Sequence, residues 1–530
     1  MKLKRVFAVC EGAAVLFSGL VCTCALAAAN NSYAEASAQQ SLYSLQINSG
    51  RGNFYDKNFV QLTGEDTKPY ALLEPNSQTY RTLFANVAPD EKSDFYRLIQ
   101  GTRPFLMQLS DIEKLDVKTV DKIVRYRPVA IASHLIGYVN SNEEGVSGLE
   151  KECDDKLAGS YTALNAVGTA DANGNVIGDT KTRATYGDGT GIMLTLDATT
   201  QRICEGVAAQ YMQSGSIVVL DAKSARVLTS VSVPNFDPSD IASATEETCF
   251  INRSISAYSV GSVFKPLLAA AALESGIDPE EPYECTGSIE VGGHTYRCAY
   301  GKGHGEVNLQ TALEQSCNCY FVQLGDKLGG DTILKYATRS GFAQSTQIYG
   351  TMRTAKGTLP TSEQLEDKGE LAMISFGQGK LTATPVQIAA MFNVFANDGI
   401  YISPTFVEGE VNAYARTVEK SLYLPIMRRV MHKNTASAVK TLMEGVVENG
   451  LGKNAAPARF TAGGKTGTAQ TGRYDDDGSE IMNAWFAGFY PAEAPKYTIA
   501  VMLDSSTADS DEASKIFSQV ATQLGYFLPK

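Results

Sequence analysis

A long apolar stretch lies near the N-terminus, from Val6 to Ala29, and only Glu11 interrupts it. Three basic residues precede the stretch: Lys2, Lys4 and Arg5. The pattern predicts a membrane-directing segment whose positive end stays on the cytoplasmic side. The uninterrupted run of residues 12–29 is just long enough for an uncleaved anchor, but small residues at 25–29 also fit the cleavage site of a signal peptide. The pattern alone leaves both possibilities open.

Another apolar segment begins after Ser262 and ends at Gly276, with Pro279 beyond it. Because glycine and proline are common just past a helix, the segment predicts a buried helix. Two apolar runs nearer the C-terminus, residues 484–490 and 497–503, have the length of buried strands and predict a meander. Helices and strands in the same part of the chain predict an α/β (α+β) fold.

The region from residue 30 to about residue 183 mixes extended apolar runs with polar segments and carries no set of catalytic residue types. Within it, Ser110–Tyr126 predicts a polar helix, and residues 171–190, rich in Gly, Asp, Asn and Thr, predict turns at a junction. A chain of 530 residues is too long for one hydrophobic core. We therefore predict a membrane segment over 1–29, an N-terminal domain over 30–185 and a second domain over 186–530.

Ser262 and Lys265 form an S-x-x-K pair at the start of the apolar helix. A serine hydroxyl is a poor nucleophile unless a base lies beside it. A spacing of three residues places both side chains on one helical face, and burial would lower the pKa of the lysine so that it can act as a neutral base. Free backbone N–H groups at the helix start would also stabilise negative charge. Taken alone, the pair fits an ordinary helix N-terminus equally well.

The triplet Ser316-Cys317-Asn318 follows later in the chain. In an extended segment or a tight turn, the hydroxyl and the amide project to one side and Cys317 to the other. Ser316 could then relay a proton between Lys265 and a leaving group, while Asn318 could position a substrate or hold the lysine. By itself the triplet is more typical of a polar loop.

The third element consists of Lys465, Thr466, Gly467 and Thr468. It leads into the two apolar runs and predicts a strand that could bind the terminal carboxylate of an extended peptide, with Gly467 admitting the peptide backbone. The rival interpretation is a phosphate loop, since Gly464 precedes the lysine. That motif needs another glycine five places earlier, where this chain has Arg459, which argues against nucleotide binding.

In this order the three elements match the signature of serine acyl-transfer enzymes. The chain resembles the class B penicillin-binding proteins, membrane-anchored D,D-transpeptidases that crosslink peptidoglycan. Seven further segments resemble motifs of that family: 51–56, 132–138, 148–151, 194–197, 215–221, 375–379 and 485–489. The resemblance implies that 186–530 is a penicillin-binding-protein/serine β-lactamase-like transpeptidase domain, with a mainly antiparallel sheet flanked by helices. It implies an elongated pedestal for 30–185.

The resemblance also implies a mechanism and a set of site residues. Ser262 would attack the carbonyl between the two terminal D-alanines of a stem peptide, and the acyl-enzyme would pass its acyl group to an amine of a neighbouring strand. β-Lactams would acylate the same serine, and no cofactor is expected. The implied catalytic residues are Ser262, Lys265, Ser316, Asn318 and Lys465, and the implied substrate-binding residues are Thr466, Gly467 and Thr468.

The expected surroundings follow from the same resemblance. It favours a single-pass anchor with the catalytic domain outside the cytoplasm, and a polytopic membrane glycosyltransferase as partner. The net charge of −12 argues against a nucleic-acid partner, since no basic cluster with interleaved aromatic residues is present. The four histidines are scattered and form no H-E-x-x-H motif, so no metal site is expected. They are His134, His294, His304 and His432.

Seven of the ten cysteines lie outside the membrane segment. Cys285 and Cys298 flank a stretch that predicts a hairpin turning at Gly292-Gly293. An oxidising exterior would favour a disulfide between them, and the alternative is two free thiols. With the later Gly303-His304-Gly305, this arrangement resembles the sporulation-associated branch of the family. If the bond forms, its reduction could govern access to the Ser316 element.

Three competing functions remain from the sequence. A serine β-lactamase shares the chemistry of the S-x-x-K and K-T-G elements but needs no large N-terminal domain. The Ser316-x-Asn318 element also differs from the S-x-V found there in one type of β-lactamase. A D,D-carboxypeptidase would pass the acyl group to water instead of an amine. A non-catalytic scaffold or β-lactam sensor would keep the site for binding only, although intact Ser262 and Lys265 weigh against it.

Overall fold

The computed structural model describes residues 2–29, 42–171, 176–244, 246–422, 424–475, 477–505 and 509–529. Its α-helices are α1 (Lys2–Ala29), α2 (Ser77–Leu83), α3 (Lys92–Ile99), α4 (Ser133–Ile136), α5 (Gly148–Glu152), α6 (Asp154–Leu157), α7 (Ala198–Tyr211), α8 (Lys265–Glu274), α9 (Leu309–Glu314), α10 (Asn318–Leu328), α11 (Gly330–Arg339), α12 (Lys368–Ser375), α13 (Pro385–Ala396), α14 (Lys433–Glu448) and α15 (Ser510–Gly525). Its strands are β1 (Leu42–Asn48), β2 (Phe54–Tyr55), β3 (Asp66–Leu73), β4 (Phe105–Met107), β5 (Thr119–Val124), β6 (Ala163–Ala170), β7 (Val176–Thr185), β8 (Thr190–Leu194), β9 (Gly215–Asp221), β10 (Val227–Val233), β11 (Tyr258–Ser259), β12 (Tyr283–Cys285), β13 (Ser288–Val291), β14 (His294–Arg297), β15 (Gly305–Val307), β16 (Gln347–Tyr349), β17 (Met352–Arg353), β18 (Thr382–Ala383), β19 (Ile400–Ile402), β20 (Val407–Asn412), β21 (Thr417–Ser421), β22 (Met427–Arg429), β23 (Gly463–Tyr474), β24 (Glu480–Tyr490) and β25 (Tyr497–Ser505).

Two compact units make up the chain. The smaller unit consists of Met1–Arg51, Asp66–Val124 and Gly159–Gly187, and the larger of Gly52–Glu65, Arg125–Ala158 and Asp188–Lys530. The last change of unit lies close to the boundary that the sequence predicts at residue 186. Two earlier segments nevertheless cluster with the larger unit, so the units do not follow the linear order of the chain.

The N-terminal helix α1 contains a 24-residue apolar window, Leu3–Leu26, with a mean hydropathy of 1.9. No residue of this window is buried within the protein. By length and composition it is able to cross a membrane, which fits a single-pass anchor, and a signal sequence has the same properties.

Two three-stranded antiparallel sheets form the smaller unit, in the orders β1-β6-β7 and β4-β3-β5. A separate core brings Phe95 of α3 against Phe105 of β4, with ring centroids 6.0 Å apart. Phe95 is fully buried, so this apolar face of α3 anchors the helix to the sheet.

Two sequence predictions for this unit are wrong. Ser110–Tyr126, predicted as a helix, contains only a short 3-10 turn before strand β5, whose Thr, Val and Ile residues favour extended backbone. Residues 171–190, predicted as turns, contain the whole of strand β7. Thr180 is the one buried residue of β7, so no apolar alternation reveals the strand. Residues 172–175 lie outside the described residues.

The larger unit is built on a five-stranded sheet with the order β10-β9-β25-β24-β23, in which all neighbours are antiparallel. Strands β24 and β25 contain the two apolar runs predicted as strands, and β23 carries Lys465, so the predicted meander is confirmed. Strand β23 is the last strand of this sheet.

Both faces of this sheet are covered by helices, as alternate residues of β25 demonstrate. Val501 belongs to a core shared with α7 and α15, whereas Met502 faces the larger core with α8 and α13. On the first face, the rings of Phe486 and Phe517 lie 4.6 Å apart. Side chains of a strand alternate between faces, so burial on both sides gives β23 to β25 nearly continuous apolar runs. The predicted antiparallel sheet flanked by helices is confirmed.

Candidate active site

Ser262 lies in a single 3-10 turn, Gly261–Phe264, that runs directly into helix α8. Val263 and Phe264 are fully buried and anchor this turn, while Ser262 is half-buried. The N–H of Gly261 donates to the carbonyl of Gly377 at 2.8 Å, which fixes the other end of the turn. The turn therefore holds the serine hydroxyl at the surface of a rigid core element.

Lys265 is the first residue of α8 and is completely buried. Its Nζ donates to Asn318 Oδ1 at 2.7 Å, to the Ser316 carbonyl at 2.8 Å and to Ser316 Oγ at 3.1 Å. The ring of Phe321 lies beneath the ammonium group, 5.4 Å from Nζ to the ring centroid. Burial lowers the pKa of Lys265 to about 7, so an appreciable neutral fraction is present near neutral pH.

Residues 316–318 form a tight turn, one of the two conformations considered from the sequence. Ser316 has a φ of +52°, a left-handed conformation that non-glycine residues rarely adopt, and Asn318 begins helix α10. Both side chains point to Lys265 Nζ, whereas Cys317 is buried. The Asn318 amide also donates to the carbonyl of Arg297 at 2.9 Å, so Asn318 has a fixed orientation.

Lys465 lies on β23 and is also completely buried. Its Nζ donates to the hydroxyl and the carbonyl oxygen of Thr466, at 3.1 and 3.2 Å. Burial, and then the charge of Lys265, lower the pKa of Lys465 well below its usual value. Thr466 is buried and Thr468 is exposed.

Gly467 lies where strand β23 meets the turn that carries Ser262. A Cβ atom at this position would lie 3.0 Å from the backbone nitrogen and Cγ1 of Val263 and 3.4 Å from the nitrogen of Ser262. The sequence predicts that a ligand approaches this glycine, and the structure adds a packing reason for it. The missing side chain lets strand β23 lie directly against the turn that carries the serine.

The structure thus brings the three sequence elements together: Lys265 joins the first to the second, and Gly467 joins the first to the third. Sequence reasoning gave no role to the segment 375–379, which also belongs to the site. Gly377 holds the turn that carries Ser262, and the side chain of Gln378 donates to the Thr468 carbonyl at 3.3 Å. The resemblance of 375–379 to a family motif was the available signal.

The predicted hairpin between Cys285 and Cys298 is confirmed as β13 and β14, with Gly292 and Gly293 at its turn. Both glycines have positive φ values, 60° and 78°, which a two-residue hairpin turn of this type requires. The two cysteines are free thiols in this structure, with Sγ atoms 3.7 Å apart, so the expected disulfide is not formed.

Comparison with known proteins agrees with this geometry. Residues 215–522, more than half of the chain, match the family model of the penicillin-binding protein transpeptidase domain. The sequence is 29% identical over 489 residues to stage V sporulation protein D of Bacillus subtilis (strain 168), covering 86% of this chain and 74% of that protein. It is 28% identical over 440 residues to peptidoglycan D,D-transpeptidase FtsI of Escherichia coli (strain K12), covering 80% of this chain and 70% of that protein.

Among solved structures, penicillin-binding protein 3 from Mycobacterium tuberculosis, complexed with aztreonam, matches with a TM-score of 0.66 and 24% identity. The match covers 91% of this chain and 96% of that chain, and it shows a shared fold. The chain therefore belongs to the penicillin-binding-protein transpeptidase family, in its class B branch. The family expected from the sequence is confirmed.

Proposed function

We propose that this protein is a serine-type peptidoglycan D,D-transpeptidase that forms its acyl-enzyme on Ser262. The observation that carries the proposal is the buried Lys265, whose Nζ lies within hydrogen-bonding distance of Ser316 Oγ and Asn318 Oδ1. Lys265 lies one helical turn from Ser262. A lysine with a lowered pKa near a serine is the arrangement that nucleophilic catalysis needs.

In the first half-reaction, Ser262 Oγ attacks the carbonyl between the two terminal D-alanines of a stem peptide, and neutral Lys265 takes the hydroxyl proton. The carbonyl C–N bond then breaks, and the departing D-alanine amine receives a proton through Ser316. Negative charge on the carbonyl oxygen is stabilised by the backbone N–H groups of Ser262 and Thr468. Lys465 adds positive potential whenever it is protonated.

In the second half-reaction, an amino group of a neighbouring strand attacks the ester carbon. The amine loses a proton to the base, the crosslinking amide bond forms as the ester bond to Ser262 Oγ breaks, and Oγ regains its proton. Strand β23 ends the sheet, so an extended peptide can lie along it with its carboxylate at the Thr466 and Thr468 hydroxyls. Asn318 donates to the peptide backbone of the substrate or holds Lys265.

The wider setting belongs to the same proposal. Helix α1 anchors the protein in the membrane, and Lys2, Lys4 and Arg5 keep its N-terminal end in the cytoplasm, so the larger unit faces outward. A polytopic membrane glycosyltransferase supplies the glycan strands. β-Lactams acylate Ser262 because they resemble the D-Ala-D-Ala acyl donor, and their strained ring opens to leave a stable ester.

The test uses the full chain in detergent with a short peptide ending in D-Ala-D-Ala and a D-amino acid as acceptor. Mass spectrometry of the products separates amine transfer from hydrolysis. We expect an exchanged peptide that is absent with Ser262→Ala. A hydrolysed product alone would identify a carboxypeptidase, and no product together with no β-lactam adduct would identify a scaffold.

A further inference from the structure

A second cluster of reactive side chains lies on the other side of the Ser316 turn. It contains three cysteines and one histidine whose ligand atoms all lie within 4.8 Å of one another: Cys285, Cys298, His304 and Cys317. We call this set the thiol cluster. The cysteines are buried and the histidine is half-buried.

The strands bring these four residues together. Strand β12 pairs with β15 so that Cys285 lies opposite Gly305, which places the preceding residue, His304, beside it. The hairpin of β13 and β14 returns the chain to Cys298, whose N–H donates to the Gly287 carbonyl at 3.0 Å. Cys317 comes from the active-site turn.

The distances within the thiol cluster suit a tetrahedral ion. The sulfur of Cys298 lies 3.7 Å from those of Cys285 and Cys317, and Cys285 Sγ lies 3.4 Å from His304 Nδ1. A tetrahedral zinc with normal bond lengths separates two sulfurs by about 3.8 Å and a sulfur from a nitrogen by about 3.6 Å. A disulfide would use two of these thiols and leave the convergence of His304 and Cys317 unexplained.

We propose that one structural zinc ion binds here, with the ligands Cys285, Cys298, His304 and Cys317. Three thiolates and one imidazole are a common zinc ligand set, and four protein ligands leave no open position for catalysis. The expectation of no metal site was based on linear motifs, which miss ligands collected from four separate segments. Zinc binding at this site does not depend on the proposed acyl transfer.

The ion would stabilise the active-site turn. Cys317 is the central residue of the turn, between the two residues that contact Lys265. Ser316 holds an unfavourable left-handed backbone there, and Asn318 donates to the residue just before Cys298. A bond from the ion to Cys317 would therefore keep both neighbours in place. Cys319, whose Sγ lies 3.5 Å from that of Cys298, is outside the proposed ligand set.

The experiment measures the metal content of the full chain, purified in detergent with reductant and then incubated with one equivalent of zinc and desalted. We expect about one zinc ion per chain in the wild type. In His304→Ala we expect the zinc content per chain to fall by about tenfold or more. The matched control is His294→Ala, an exposed histidine of the adjacent hairpin, which should keep its zinc. Cys317→Ser should also lose zinc, and Cys319→Ala should keep it.

Cobalt substitution gives a second readout, because thiolate-to-cobalt absorption reports ligation independently of enzyme activity. A penicillin adduct on His304→Ala verifies that the variant is folded. The proposal is overturned by a wild type that binds no zinc under these conditions, by a Cys285–Cys298 disulfide that persists in reductant, or by His304→Ala retaining the full zinc content. Zinc loss in Cys319→Ala with retention in Cys317→Ser would overturn the ligand assignment.

Discussion

The residues on the two sides of the Ser316–Asn318 turn differ in chemistry and in how they are held. On one side, Lys265 is buried with oxygen partners, and its hydrogen bonds fix two side chains. On the other side, the thiol cluster packs sulfur against sulfur with one imidazole. One side is suited to moving protons and the other to rigid ligation. The turn thus couples a reactive site to a structural one within three residues.

The largest expected effect comes from removing Lys265, which should affect the catalytic side of the turn and not the thiol cluster. Lys265→Met deletes the proposed base while keeping an apolar stem, and we expect penicillin acylation to slow by about a thousandfold. Zinc content should not change. Lys515→Met, at an exposed lysine of α15, is the control and should acylate like the wild type. Stopped-flow acylation rates measure both, and a wild-type rate in Lys265→Met would remove this lysine from the mechanism.

A second variant tests the contact between β23 and the turn that carries Ser262. In Gly467→Ala the new methyl group meets Val263 at 3.0 Å, so either the strand or the turn must move. We expect acylation to fall by about a hundredfold, because small misplacements of reacting groups have large effects. Gly206→Ala places the same methyl in open space on α7 and should leave the rate unchanged. Equal rates in the two variants would contradict the proposed contact.

Removing the metal should have a smaller effect on acylation than either substitution. If zinc only positions the turn, a chelated protein or His304→Ala should acylate about tenfold more slowly. Readdition of zinc should restore the chelated wild type but not the variant. An unchanged rate after complete zinc loss would separate the thiol cluster from the active site.

The smallest effect concerns pH. The neutral form of Lys265 is the base, so acylation should rise with pH through about 7 and then level off. Asn318→Asp places a carboxylate near Nζ, which favours the ammonium form and raises the pKa of Lys265. A rise of about one unit would slow acylation at pH 7 by about fivefold and move the midpoint upward. Asn434→Asp, an exposed change on α14, should leave the pH profile unchanged, and a midpoint that stays in place in Asn318→Asp would argue against Lys265 as the base.

The catalytic elements were predictable because each is a short contiguous motif. Ser262 and Lys265 share a helical turn, and Ser316 and Asn318 share a tight turn, so local spacing together with the order of the three elements indicates the site. Strands β24 and β25 were equally predictable, because burial on both faces produces uninterrupted apolar runs.

The remaining features depend on how the strands pair. The thiol cluster forms only when β12 pairs with β15. The scattered positions of the histidines in the sequence did not indicate that His304 would lie beside three cysteines. The spacing Cys285-x12-Cys298-x5-His304-x12-Cys317 was the available signal. Strand β7 was missed because its exposed polar side chains carry no alternation, and its pairing with β6 depends on backbone hydrogen bonds.

Intact-mass spectrometry after exposure of the full chain to penicillin tests the central claim most directly. The account predicts one stable adduct, located on the peptide that contains Ser262 and absent in Ser262→Ala. An adduct on another residue, or no adduct in a folded wild type, would contradict the assignment of Ser262 as the nucleophile.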